Sequence, residues 1–137
     1  VGGSGPRKTL RTVATHADAW NTSGQLDDVA KKVRTLEEHC AAVGRDPAAI
    51  ERTVSFPIVI RDDPADAAAV WQRLIRANGA EDAGNVPHLL GSPRAAADAI
   101  RPYLDLGFST VIVRMPAPYD RETVDRIGEV AAALAAG

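Results

Sequence analysis

The chain has 137 residues, 45% hydrophobic and 25% charged, the balance of an ordinary globular domain. Its formal net charge of −2 gives no electrostatic case for nucleic acid or an anionic membrane, and no apolar run has the length that crosses a bilayer. Cys40 is the single cysteine, which excludes an internal disulfide and a cysteine-based metal framework; with no signal peptide opening the chain, a cytoplasmic setting is expected.

The opening stretch Val1-Gly2-Gly3-Ser4-Gly5-Pro6-Arg7-Lys8-Thr9 reads as a strand end, a turn without side-chain bulk and a first helical turn. Gly2, Gly3 and Gly5 allow a ligand close to the backbone and permit positive φ. Ser4 suits an N-cap, and Pro6 suits the first helical turn, where its missing N–H is not needed. Uncapped N–H groups and the positive end of a helix dipole make a general anion-binding arrangement. Arg7 and Lys8 stand at that same end, where the dipole alone disfavours cations; a bound phosphate would offset this. A plain glycine-rich turn with two solvated cations fits the same residues.

Leu10, Val13, Ala14 and Ala17 then mark one face of a helix ending near His16. Ala17-Asp18-Ala19-Trp20-Asn21 reads as a short strand and Thr22-Ser23-Gly24 as a polar turn. Leu26, Val29, Val33, Leu36, Cys40 and Val43 line a long helix stopped by Gly44. Asp46-Pro47 starts a short helical turn, and the β-branched run 53–60 is a buried strand in which Pro57 should mark an irregularity or the strand's exit. A helix opened by Asp63-Pro64 buries Ala67, Val70, Trp71, Leu74 and Ile75 and ends at Asn78-Gly79. Residues 80–91 read as a loop. Ser92-Pro93 opens a helix with Ala96, Ile100, Tyr103 and Leu104 inward, kinked or broken at Pro102 and closed by Gly107. Residues 109–114 form a strand, and Asp120 caps a last helix with Val124, Ile127, Ala131 and Leu134 inward. Strands alternating with helices of this length imply parallel βαβ units.

Few constellations carry chemistry. No G-x-S-x-G elbow is present, Cys40 lies in an apolar stripe, and His16, His39 and His88 share no metal-ligand spacing. The pairs Asp27-Asp28, Glu37-Glu38 and Asp62-Asp63 read as solvated faces or caps. A dinucleotide fingerprint would need its third glycine where Lys8 stands. With parallel strands, however, the glycine turn, Trp20-Asn21 and Arg114 all fall at C-terminal strand ends, where α/β folds place their sites. Arg114 suits phosphate or carboxylate; Trp20 is either the wall for a planar ring or core, and Asn21 can hydrogen-bond a ligand.

The run from Val1 to Arg11 and Ala17-Asp18-Ala19-Trp20-Asn21 resemble the luciferase-like monooxygenase superfamily. So do His39-Cys40, Val43-Gly44-Arg45-Asp46-Pro47 with Ile50-Glu51, Leu90-Gly91-Ser92-Pro93 and Tyr103-Leu104-Asp105-Leu106-Gly107, the combination being closest to the branch dependent on coenzyme F420. The resemblance implies an α/β fold, the C-terminal half (about four βα units) of a (β/α)8 TIM barrel, as a single partial domain over residues 1–137. On that mapping residues 1–3 end strand five, and 18–21, 53–60 and 109–114 are strands six, seven and eight. It implies hydride transfer between the deazaflavin F420 and a small-molecule organic substrate, or an FMN-dependent monooxygenase. Gly2, Gly3, Ser4, Gly5 and Arg7 would hold the cofactor phosphate and chain, Trp20 and Asn21 flank the ring system or substrate, and Arg114 meet an anionic substrate or the cofactor. The family's first four strands and its usual proton donor have no counterpart here. The chain is therefore expected to be inactive alone, a fragment or one part of an assembly: a homo-oligomer, or a partner to the missing N-terminal half. A non-catalytic half-barrel that self-assembles is the expectation from another class.

Overall fold

A computed structural model describes residues 1–80 and 87–137, so part of the stretch expected as loop, 81–86, lies outside the described residues. The chain divides into two compact units, Val1–Ser55 with Tyr103–Ile112, and Phe56–Pro102 with Val113–Gly137. Its elements are α1 (Thr9–His16), β1 (Ala19–Thr22), α2 (Leu26–Val43), a 3-10 turn (Pro47–Ala49), β2 (Glu51–Ile60), α3 (Pro64–Ala77), β3 (Leu89–Gly91), α4 (Pro93–Asp105), β4 (Thr110–Arg114) and α5 (Arg121–Ala135). No helix among the described residues is long and apolar enough to cross a membrane.

In the first unit β1 pairs in parallel with the start of β2, in the register Ala19↔Glu51 to Thr22↔Val54. The helix α1 packs on α2, and their apolar stripes supply the buried residues Leu10, Val13, Ala14, Val29, Val33, Leu36 and Cys40. Burial of Cys40 pushes its thiol pKa up. Gly44 ends α2 with φ +69°, the left-handed C-cap its position required. Arg52 ties the start of β2 to both neighbours: Nη2 meets Glu37 Oε1 at 2.8 Å and Nη1 donates to the Leu106 carbonyl at 3.1 Å. Beside it Ser109 N donates to Arg52 O at 3.0 Å, joining the approach to β4 to β2.

In the second unit β3 pairs in parallel with the end of β2, Ile58↔Leu89 to Ile60↔Gly91. Asp63 caps α3 by accepting from Ala65 N at 2.8 Å, and Val59, Ala67, Val70, Trp71, Leu74 and Ile75 form the core expected for that face. Asp120 caps α5 through Thr123 N at 3.1 Å.

Several expectations are corrected. Ser4 caps nothing and Pro6 lies outside the helix: 6–8 is a turn, and α1 starts at Thr9 with Lys8 as an N-cap lacking a side-chain bond. Thr22 is a buried strand residue, not part of a turn. Val43 is 44% exposed, because the stripe has drifted off the packed face by the last turn. Pro57 neither breaks nor ends β2; it sits between the part paired with β1 and the part paired with β3. Leu89–Gly91 is a strand, not loop, and α4 runs unbroken through Pro102. The Val-Ile-Val centre of β4 is half-buried at best, with Ile112 exposed. In α5 the buried face is turned by one residue: Thr123 and Val130 are buried while Val124 and Ala131 are exposed. Thr123 faces inward because its hydroxyl is needed there, accepting the Ile60 N–H at 3.0 Å and donating to Asp120 Oδ2.

Candidate functional site at the glycine loop

Residues 1–3 lie alongside β1 as a strand end. Val1 N donates to Ala19 O at 2.8 Å, Asn21 N to Val1 O at 2.9 Å and Gly3 N to Asn21 O at 3.2 Å, with Gly2 and Asn21 forming a parallel bridge. The chain then turns at Gly3, whose φ of +122° a side chain would rarely adopt. The turn closes around Thr9: a Cβ on Gly3 would stand 3.2 Å from Thr9 Cγ2, and one on Gly5 3.0 Å from Thr9 Oγ1. A Cβ on Gly2 would meet nothing within 4 Å, leaving that backbone open to approach.

Two side chains hold the loop from outside it. The Trp20 indole donates from Nε1 to the Gly3 carbonyl at 2.8 Å, and His39 Nε2 lies 2.8 Å from the Pro6 carbonyl. A carbonyl only accepts, so His39 carries its proton on Nε2 in this contact. The sequence assigns neither His39 nor Thr9 a role at this loop; neither has a local signal for it, since each acts on a backbone brought to it by the fold.

Leu10 N reaches back to Gly5 O, and the N–H groups of Arg7, Lys8 and Thr9 have no backbone partner among the described residues. The first turn of α1 contains no acidic residue to offset its dipole. Arg7, Lys8, Arg11, Thr12, Thr15 and His16 line one open hollow along the helix. Free N–H groups, an uncompensated dipole end and adjoining cations make this an arrangement suited to a phosphate.

The other residues expected in the site stand as follows. Trp20 is fully buried, 5.9 Å from Phe108 between ring centroids, so it reaches the loop through Gly3. Asn21 is half-buried, with Nδ2 2.8 Å from Thr53 Oγ1. Arg114 ends β4 in the second unit, exposed and without an ion pair among the described residues.

A second polar cluster, which the sequence reading did not assemble, ties the end of β2 to the start of α5. Arg61 grips Asp120 with both terminal nitrogens of its guanidinium, Nη1 at 2.9 and Nη2 at 2.8 Å, and its Nε lies 3.2 Å from Glu122. The Arg61 hydrogen bonds, outweighing burial, lower the Asp120 pKa to about 2. Arg126 adds Asp62 at 2.8 Å. Every cation here is paired, so the cluster braces the unit.

The family model described as luciferase-like monooxygenase matches residues 1–113. No curated protein sequence matches the chain. Among solved structures the chain is similar to the riboflavin lyase RcaE with modified FMN and riboflavin, at TM-score 0.78 and 16% identity over 97% of this chain and 41% of that one. An F420-dependent secondary alcohol dehydrogenase in complex with an F420-acetone adduct gives TM-score 0.70 and 15% identity, over 97% and 47%. The F420-dependent tetrahydromethanopterin reductase of Methanopyrus kandleri gives 0.62 and 18%, over 81% and 43%. The chain thus spans less than half the length of these relatives, and at such identities the likeness speaks for the fold: α/β with parallel strands, a partial (β/α)8 barrel. With the family model covering residues 1–113, the chain belongs to the luciferase-like monooxygenase family.

Proposed function

We propose that these residues are the phosphate-binding side of an F420-dependent oxidoreductase, which transfers hydride between the deazaflavin and an organic substrate once the barrel is complete. The observation that carries this reading is the braced glycine loop, whose N–H groups at Arg7, Lys8 and Thr9 have no backbone partner among the described residues, with cations beside them. The residues fit the group: Gly2 leaves open space for it, and no acidic side chain opposes it in the first turn of α1. Gly2, Gly3, Ser4 and Gly5 would present backbone to the phosphate, Arg7 would neutralise it, and Asn21 would flank the ring. Trp20 would fix the loop from beneath. Arg114, which ends β4 with no ion pair among the described residues, would meet an anionic substrate. F420, when bound, supplies the redox chemistry, and the protein's part is to hold and orient it.

An FMN-dependent monooxygenase is the second reading, favoured by the likeness to riboflavin lyase, since FMN offers a phosphate to the same loop. Arg11, lying with Arg7 and Lys8, supports F420, whose longer acidic tail profits from further cations. We further infer a single partial domain that is completed by the missing N-terminal half or by a second copy, and a cytoplasmic setting. The exposed Ile112 of β4 supports the need for cover. A non-catalytic, self-assembling half-barrel would run as a monodisperse dimer on size exclusion and bind neither cofactor. Fluorescence titration with F420 and with FMN tests the main reading: saturable quenching by F420 at the lower concentration is expected, weakened about tenfold by Arg7→Ala, as loss of a charged hydrogen bond predicts. Quenching by neither ligand refutes it.

A further inference from the structure

Thr53 stands directly across from Asn21 in the register of β1 and β2, buried among its neighbours. Its hydroxyl has one hydrogen, and that hydrogen is committed: Oγ1 donates to the Trp20 carbonyl at 3.3 Å, which can only accept. Toward Asn21 the same oxygen is therefore an acceptor, filled by Nδ2 at 2.8 Å. The Thr53 backbone carbonyl, again only an acceptor, lies 3.4 Å from the same Nδ2. Turning the amide by half a rotation would set Oδ1 against the Thr53 carbonyl, which has no hydrogen to offer, and would draw the Thr53 hydroxyl hydrogen away from the Trp20 carbonyl. The Thr53 carbonyl thus sets the nitrogen end of the carboxamide toward Thr53, leaving Oδ1 on the other side.

We infer that Thr53 is a positioning residue, locking the Asn21 carboxamide so that it meets the cofactor ring as a hydrogen-bond acceptor, which selects a ring bearing an N–H donor. The inference rests on the reading above in which Asn21 flanks that ring. The Asn21 backbone supports it, being bonded to Val1 and Gly3, so that the amide is fixed relative to the phosphate loop as well. Flavins and deazaflavins share an imide N–H of the required kind; a ring alkylated at that nitrogen lacks it.

The test uses the full-length protein with Thr53→Val, which keeps the shape and removes the hydroxyl, and Thr53→Ser, which restores it. The probes are 5-deaza-FMN and its derivative methylated at the imide nitrogen. Without ligand, hydrogen exchange of the Asn21 side-chain amide should speed up several-fold in Thr53→Val and stay near wild type in Thr53→Ser. Affinity for 5-deaza-FMN should fall about tenfold in Thr53→Val, as losing one well-placed hydrogen bond predicts, and recover in Thr53→Ser. The methylated probe should bind all three proteins alike. Unchanged amide exchange, or equal affinity of wild type and Thr53→Val for 5-deaza-FMN, overturns the inference. A wild type that binds neither F420 nor 5-deaza-FMN instead overturns the cofactor reading, and with it the donor selected, while the exchange data still decide the lock.

Discussion

Replacing Asp120 by Asn isolates the charge in the cluster between β2 and α5. Asn remains a good N-cap for Thr123 N, so the helix start is kept and the ion pair with Arg61 is lost. Both side chains are mostly buried, at 17% and 14% exposure, so solvent screening takes little from the pair. A carboxyl held at about 2 instead of its ordinary 3.8 contributes about 2 kcal/mol at neutral pH. Glu122 stays 3.2 Å from Arg61 and keeps that guanidinium from being stranded, so the larger penalty of a fully orphaned buried charge does not arise. The folded pKa is depressed, so this stability is fully present above the unfolded value near 4 and is lost as pH falls through about 2. Urea unfolding should therefore separate wild type from Asp120→Asn by about 2 kcal/mol at pH 7, or about 5–10 °C in Tm, and the gap should narrow steadily between pH 4 and pH 2. A gap that stays the same at pH 2.5 would refute the electrostatic origin; no gap at pH 7 would refute the ion pair's weight altogether.

Three further outcomes test the bracing of the two sites. Gly3→Ala forces a side chain to φ +122° and against Thr9, and should cost about 1–3 kcal/mol in urea unfolding, whereas Gly2→Ala meets open space and should leave stability nearly unchanged while weakening F420 binding. His39→Ala removes the contact to the Pro6 carbonyl, and backbone amide exchange at residues 7–9 should accelerate, with His39→Gln, which can still donate, closer to wild type. Thr123→Val strands the Ile60 N–H in a buried position and should lower unfolding stability by about 1–3 kcal/mol, with Thr123→Ser largely restoring it.

Much of the fold was legible because its signals are local. The apolar stripe Ala67, Val70, Trp71, Leu74, Ile75 and the caps Asp46, Asp63 and Asp120 are read from spacing and turn chemistry, and each stands where expected. The misreadings share a cause as well. Ser4 and Pro6 satisfy the rules for a helix start, but the strand pairing of residues 1–3 and the packing of Thr9 into the glycines delay the helix to Thr9. Leu89–Gly91 has no period of its own and becomes a strand because the end of β2 offers it an edge. In α5 the stripe of Val124 and Ala131 loses to Thr123, a polar residue that a hydrophobic count places outside but that the Ile60 N–H draws in.

Arg61 and Arg114 show where sequence reasoning about the site meets its limit. Each is an arginine at the end of an apolar strand, and the rule that singled out Arg114 as a ligand contact applies equally to Arg61. What separates them is a capping acid. Asp120, distant in sequence, is delivered to Arg61 by the start of α5 and satisfies it bidentately, whereas Arg114 is left exposed with no ion pair among the described residues. A guanidinium with its fork already filled has little to offer an incoming anion, whereas one with no ion pair among the described residues keeps that fork for one. The same distinction holds in the glycine loop, where the Trp20 indole spends its single donor on Gly3 and Asn21 turns its amide nitrogen to Thr53. What a residue has left over after the fold has used it, such as the acceptor on Asn21 in the first unit, is the chemistry it can offer a ligand.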